Sequence, residues 1–484
     1  ATDGLPQAVM MKGYGSEGHD SANSEYGKIA DRLGGLEELK KLNSIAHQYH
    51  TQMGIHFNAQ EVYPEAQSFT NELINGPSAL GWGWLDQSYT INRPYDLASG
   101  LRYKRLLQLY DQLNGTSLYA NKWPGVVGTG TDETVADAET IAETVAEKKL
   151  TTDENLDFMY LDVWYGDSWE TRKIAQQINS LGWRFSTEFG YEGEYDSTWQ
   201  HWATEGHYGG SSMKGLNSDV IRFIRNHQKD SFVLNYPYFN NSYVKGANDN
   251  PLLGGFTLTG FEGWGGSNDS FNTYMTGTFA ENLPTKFLQH YLVYKWENYE
   301  DGQSPAGNHE KQITLKNEAG DTVVVTRKEE QREDNYIERI ITLNGKKVLE
   351  DVTYLLPWTD SDTNKEKLYH YNYEGGTTTW ELQDDWADLK NVIVYKLTDT
   401  GRTEEQTVAV VDGTVTLTAE ANTPYVVVKG EEAPKTVTSW SNGAHVKDTG
   451  FNSYAGTGAG DALDENVWSG DVKNDNVKVV RVAT

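Results

Sequence analysis

The sequence predicts an α/β chain in which a (β/α)8 barrel of the TIM type is followed by an antiparallel all-β sandwich. Three observations predict it. From residue 7 to residue 264, short apolar runs alternate with amphipathic helical stretches. Those runs end in polar or acidic residues rather than in glycine-rich phosphate turns. Past residue 305 the texture changes to alternating β runs joined by Asn-Gly and Asp-Gly turns.

The apolar runs are "QAVMMKGYG", "QMGIHFNAQE", "LDFMYLDVWY", "GWRFSTEFG", "DSFVLNYP" and "LGGFTLTGFEGW". Between them lie stretches such as "YGKIADRLGGLEELKKLNSIAHQYH" and "ETRKIAQQINSLG". In the latter, Ile174, Ile178 and Leu181 recur at helical spacing, and Gly182 closes the helix just before the next run. Strand–helix–strand repetition implies a parallel sheet, which either an open doubly wound sheet or a closed barrel would satisfy. No GxGxxG and no Walker loop is present. Polar groups instead gather at strand ends: His19 and Asp20, His56 and Asn58, Asp162, Glu188. A barrel brings catalytic groups from several strand ends to one face, so the barrel is favoured. Fewer than eight strands are clear, which leaves room for a first strand upstream. The opening "ATDGLPQ" reads as a piece cut from something longer.

Residues 114–155 interrupt the repeat with a loop, "GVVGTGTDET", and a helix, "DAETIAETVAEKKL", acidic early and basic late as its dipole favours. Such an insertion either borders a cleft or is a solvated excursion. Residues 1–304 thus form the expected barrel. Residues 305–430 form the sandwich, with hairpin signals in "LNGKK" and "VDGTV". Residues 431–484 form a linker and the start of a further β module.

Lys and Arg number 41 against 70 Asp and Glu, a net charge of −29. Such a surface disfavours nucleic acid and anionic membranes. No apolar run reaches the roughly 18–20 residues of a membrane span. With no cysteine there is neither a disulfide framework nor a thiolate metal site. The excess is aromatic, with 15 Trp and 29 Tyr. Aromatic faces with polar edges suit sugars, although most of these rings belong to packing.

The strand end "FMYLDVWYGDSW" carries the chemistry. Alternation puts Leu161 and Val163 on one side and Tyr160 and Asp162 on the other. A carboxylate inside a barrel is costly unless it is paired or functional, but the last residue of the run can reach the open face. Glu188 holds the same place one strand–helix–strand later. Neighbouring strands lie about 4.8 Å apart, so both acids can meet across a ligand. Two carboxylates among aromatic walls fit glycoside hydrolysis, one as acid, the other as nucleophile or base. Each could instead cap a helix or pair with an arginine. Of the nearby acids Glu192, Glu194 and Asp196, the last reads as a helix N-cap in "DST". Glu262 and Trp264 in "GFEGWGG" could bind the sugar, as could His19, Asp20, His56 and Asn58. No HExxH spacing supports a metal site, and no GxSxG elbow supports a serine hydrolase. In "GWGWLDQ", Trp82 and Trp84 can close over a sugar or simply pack.

The stretches "KGYGSEGHDS", "GIHFNAQEVYPE", "GWGWLDQ", "YLDVWYGDSWETR", "GWRFSTEFG", "EYDSTWQHW", "KGLNSDVIRFIRNHQKD" and "NPLLGGFTLTGFEGW" together resemble glycoside hydrolase family 101, the bacterial endo-α-N-acetylgalactosaminidases. The resemblance implies a retaining (β/α)8 barrel followed by β domains, in a large exported protein, secreted or attached to the cell surface. It implies release of the disaccharide Galβ1-3GalNAc from Ser or Thr of mucin-type glycoproteins or glycopeptides. By motif, Asp162 is similar to the nucleophile and Glu188 to the general acid/base. Asp20 and His56 match residues that hold the GalNAc unit, and Trp82 and Trp84 match a tryptophan lid. Gly265 stands where relatives carry Gln, which puts that sugar contact in doubt and opens the site to a different outer sugar. The chemistry needs no cofactor; the family carries bound calcium, for which no ligands are assigned. As the acid, Glu188 must begin protonated, so burial or its charged neighbour is expected to raise its pKa. Two alternatives stay open: an α-glucan hydrolase on the same barrel, and a mucin-binding adhesin that has lost catalysis.

Overall fold

The computed structural model describes residues 2–15, 18, 25–66, 68–83, 86–119, 135–151, 153–166, 168–188, 193, 195–200, 252–253, 274–300, 310–328, 338–360, 364–398 and 401–430. The chain divides into two compact units, Gly4–Asp249 and Ala1–Asp3 with Asn250–Thr484.

In the first unit the elements are β1 (Gln7–Met11), α1 (Gly35–Gln48), β2 (Thr51–Asn58), β3 (Glu61–Val62), β4 (Tyr89–Thr90), α2 (Arg93–Ala98), α3 (Leu101–Asn114), α4 (Ala138–Thr151), β5 (Phe158–Asp162), α5 (Ser168–Ser180), β6 (Arg184–Thr187) and β7 (Ser197–Gln200). The sheet order is β1-β2-β5-β6-β7, every pairing parallel. Within this sheet the strands follow one another in chain order, with β3 and β4 paired apart as a two-stranded sheet, and without the reversal of a doubly wound sheet, as in a (β/α)8 barrel. From Met53 onward β2 is buried on both faces, the mark of a parallel strand covered on either side. Met53, Ile55, Phe57, Met159, Leu161 and Phe185 join the helical Leu106, Leu109, Leu113, Ile174, Ile178 and Leu181 in one core. The helix read from Ile174, Ile178 and Leu181 is therefore α5, and Gly182 ends it as expected. In α4 the Asp137 carboxylate accepts the Thr140 N–H at 2.8 Å, a cap that the charge pattern alone did not reveal.

One expectation fails. Asp196 starts no helix; Ser197–Gln200 pairs in parallel with β6. Its Thr and Trp suit a strand, and the neighbouring sheet edge outweighs the local capping signal. Asp196 itself sits in a turn, its N–H bonded to Gly193 O.

The second unit's described elements include a π-helical turn, Gly277–Asn282, that runs into a short helix, α6 (Leu283–Leu288), followed by β8 (Leu292–Asn298), β9 (Glu310–Lys316), β10 (Thr322–Arg327), β11 (Arg339–Leu343), β12 (Lys346–Glu350), β13 (Thr353–Thr359), β14 (Glu366–Asn372), β15 (Gly376–Glu381), β16 (Asn391–Thr398), β17 (Gly401–Val411), β18 (Thr414–Ala419) and β19 (Thr423–Val428). Its hydrogen-bonded order is β15-β18-β17-β16-β19-β14-β13-β12-β11-β10-β9-β8, all antiparallel. Burial alternates residue by residue in β10, β11 and β18, as a sheet with one covered face requires. One buried cluster joins Trp380, Val415 and Leu417 of β15 and β18 to Leu355, Leu368, Val394 and Val427, closing the sandwich. Asn344-Gly345 and Asp412-Gly413 all have positive φ, the turn predicted at "LNGKK" and "VDGTV".

Candidate active site

The ends of β2, β5 and β6 lie side by side. Asn58 is opposite Asp162 and Leu161 opposite Thr187, so Glu188 continues the row beside Asp162. Since Met159, Leu161 and Phe185 belong to the helix-side core, Tyr160 and Asp162 face away from it, together with His56 and Asn58. The alternation in "FMYLD" therefore assigned the faces correctly. The row is tied at its tip. Thr187 Oγ1 donates to Leu161 O at 2.9 Å, and the Glu188 N–H to the same oxygen at 3.3 Å. The Val163 N–H donates to Glu188 Oε2 at 3.1 Å. Val163 has φ +43, a left-handed backbone that a β-branched residue rarely adopts. That turn, immediately after Asp162, aims the amide at the Glu188 carboxylate. The buried His56 stacks on Tyr160, ring centroids 5.7 Å apart, and its Nε2 lies 3.3 Å from Asp162 Oδ2.

The aromatics behind Asp162 divide by role. Trp164 is fully buried; its Nε1 donates to Thr171 Oγ1 at 2.9 Å, and the guanidinium groups of Arg93 and Arg102 lie 6.0 and 5.5 Å from its ring. It anchors the chain after the strand. Tyr165 and Trp169 are exposed. Partial burial and then the charges of Glu188, Glu61 and Asp162 push the Tyr165 phenol above its usual range. Its hydroxyl thus lies in the field of all three acids.

Trp82 is 56% exposed. The loop bearing it is closed at its base by Gly81 N–H to Ser88 O and Ser88 N–H to Trp82 O, both 2.9 Å. Gln87 Nε2 adds a bond to Ser88 O at 2.9 Å. Asn58, expected among the substrate-binding groups, accepts the N–H groups of Gln60 and Glu61 at 2.8 and 3.0 Å and donates to Glu61 Oε2 at 3.2 Å. It braces the turn that follows β2. Glu61, passed over in the sequence, accepts the Trp82 N–H at 2.8 Å. Its signal was local: an Asn three residues earlier at a strand end, where an Asx turn would fold the acid back.

His19, Asp20, Trp84, Glu192, Glu194, Glu262, Trp264 and Gly265 lie outside the described residues. Among the described residues no group of three His, Cys, Asp or Glu is arranged to hold a metal ion. No described helix is long and apolar enough to cross a membrane.

A family model described as endo-alpha-N-acetylgalactosaminidase, glycoside hydrolase family 101, matches residues 1–147 and 129–275. A second, the family's beta sandwich domain, matches residues 281–403. The chain is 33% identical over 467 residues to a protein of Renibacterium salmoninarum named "Putative endo-alpha-N-acetylgalactosaminidase", an alignment taking in 94% of this chain and 26% of that one. The chain thus spans about a quarter of that relative's length. Among solved structures, ligand-free alpha-N-acetylgalactosaminidase NagBb of Bifidobacterium bifidum aligns with a TM-score of 0.33 and 13% identity, over 66% of this chain and 48% of that one. An acarbose-bound alpha-amylase of Geobacillus thermoleovorans aligns with a TM-score of 0.27 and 12% identity, over 88% of each. The two family models between them take in both units, and the chain belongs to glycoside hydrolase family 101.

Proposed function

We propose that the protein is a retaining endo-α-N-acetylgalactosaminidase that releases Galβ1-3GalNAc from Ser or Thr of mucin-type glycoproteins. The observation that carries this reading is the pair of acids, Asp162 and Glu188, in one row at the ends of neighbouring parallel strands, with the Val163 amide on the Glu188 carboxylate. Asp162 attacks the anomeric carbon as the bond to the peptide oxygen breaks, and Glu188 gives that oxygen its proton. Water then attacks the glycosyl-enzyme, Glu188 takes the water's proton, and the Asp162 carboxylate is released. His56, 3.3 Å from Asp162 Oδ2, orients the nucleophile. Trp82 supplies an apolar wall for the sugar. No cofactor takes part. Mucin-type glycoproteins are displayed outside cells, so the enzyme acts there as a secreted or surface-attached protein.

The test is a mucin-type glycopeptide incubated with the protein, the products followed by mass and by anomeric NMR. Intact disaccharide, first seen as the α-anomer, is expected. Asp162→Asn and Glu188→Gln should each lower the rate by at least about 10³-fold with folding retained. Wild-type turnover in either purified variant, or a β-anomer first, overturns the assignment.

A further inference from the structure

Glu61 is a carboxylate in an unusual place. It is 7% exposed, on a two-residue strand, and neither a barrel nor a hairpin needs an acid there. Burying it is costly without partners. One oxygen, Oε1, accepts the Trp82 N–H at 2.8 Å; the other accepts Asn58 Nδ2 at 3.2 Å. The acid therefore bridges the loop that presents Trp82 and the residue that lies opposite Asp162. The loop leaves room for this grip. A Cβ on Gly81 would stand 2.4 Å from Ser88 Oγ and 2.6 Å from Glu61 Oε1, closer than real contacts allow. Ser88 Oγ in turn donates to Trp82 O at 3.0 Å, so both peptide faces of Trp82 are held.

We propose that Glu61 is a positioning residue, whose buried carboxylate clamps Trp82 to the end of β2 and so sets the indole against the sugar bound over Asp162 and Glu188. The proposal rests on the functional reading above and names the group that fixes one wall of that site. Glu61 acts through Trp82 and transfers no proton.

The experiment combines Glu61→Ala, Glu61→Gln, Gly81→Ala and Trp82→Ala, singly and in pairs. Fluorine NMR of protein containing fluorotryptophan, with the Trp82 signal assigned by its loss in Trp82→Phe, reads the position of the indole independently of activity. Glu61→Ala and Gly81→Ala should shift or broaden that signal. Each should raise KM for the glycopeptide and lower kcat/KM by on the order of tenfold, with the pH profile unmoved. Glu61→Gln, which keeps one acceptor oxygen for the Trp82 amide, should recover part of both. Glu61→Ala in a Trp82→Ala background should add less than about threefold, because the two act as a unit. If Glu61→Ala fails to fold, Glu61→Gln and Gly81→Ala carry the test. An unmoved signal, a shifted pH profile or multiplicative losses overturn the clamp. A moved signal in an enzyme whose wild type cleaves no glycopeptide leaves the clamp standing and sinks the functional reading instead.

Discussion

Val163 is the point at which the candidate acids are coupled. Its φ of +43 costs about 1–3 kcal/mol in a β-branched residue, and such strain persists only where surrounding contacts over-determine it. Here those contacts are the β5–β6 register before it, the bond from its own amide to Glu188, and the buried Trp164 after it. Val163→Gly should therefore stabilise the fold by about 1 kcal/mol, since glycine accepts that backbone, while the amide loses its fixed aim and kcat falls. Val163→Pro removes the donor and holds φ near −65°, so it should lose activity outright. Thermal melts alongside kcat measure both. A Val163→Gly protein that is less stable and fully active would show that the turn stores no strain for the site. The run "FMYLDVWY" gave away Asp162 by parity, because side chains alternate with a period of two. It could not disclose the reversal at Val163, since valine is a poor predictor of a left-handed turn.

At the scale of elements, the strand ends were readable and the connections were not. β2, β5 and β6 announced themselves as apolar runs ending in polar groups, the pattern of parallel strands that bring side chains to one end of a barrel. Asp196 misled because a capping signal is local, whereas the pairing of Ser197–Gln200 with β6 is made by a neighbouring strand. The tie from Glu61 to Trp82 stayed hidden for the same reason, its partner lying 21 residues further on, although Asn58 marked the turn locally. One strand pair carries a requirement that can be tested. Gly54 sits opposite Phe158, and a Cβ there would meet the Phe158 ring at 2.3 Å. Gly54→Ala should destabilise the first unit by about 1–3 kcal/mol, as overpacking does. It should also lower activity, because His56 follows two residues along the same strand. Adding Phe158→Leu should restore most of the stability in denaturant titrations. Unaltered stability in the single variant would mean that the ring has room to turn aside.

At the scale of the whole chain, contacts between distant residues matter most, and these no local pattern could show. Asp3 belongs to the β unit, where Arg402, 399 residues away, grips its carboxylate with Nε and Nη2 at 2.7 and 2.8 Å and Lys367 adds a third contact at 3.1 Å. Burial alone would raise the Asp3 pKa; these cations overcome it and hold the group below the ordinary range. The same unit buries His370 on β14, its Nδ1 2.8 Å from Tyr354 O and its Nε2 without a hydrogen-bond partner among the described residues. Burial outweighs that bond and pushes the His370 pKa down from 6.5 to about 4. Above pH 6.5 the imidazole is neutral whether the chain is folded or not. Between pH 6.5 and about 4 only the unfolded chain takes the proton, so acidification should cost about 3 kcal/mol of stability. His47, raised by its bond to Asp157, works the other way: its contribution is complete below pH 6.5 and fades only as pH rises. The acid loss should therefore belong to the β unit. A His370→Gln variant should show a melting transition less sensitive to pH between 6.5 and 4 than the parent, and equal sensitivity in calorimetry would exonerate His370.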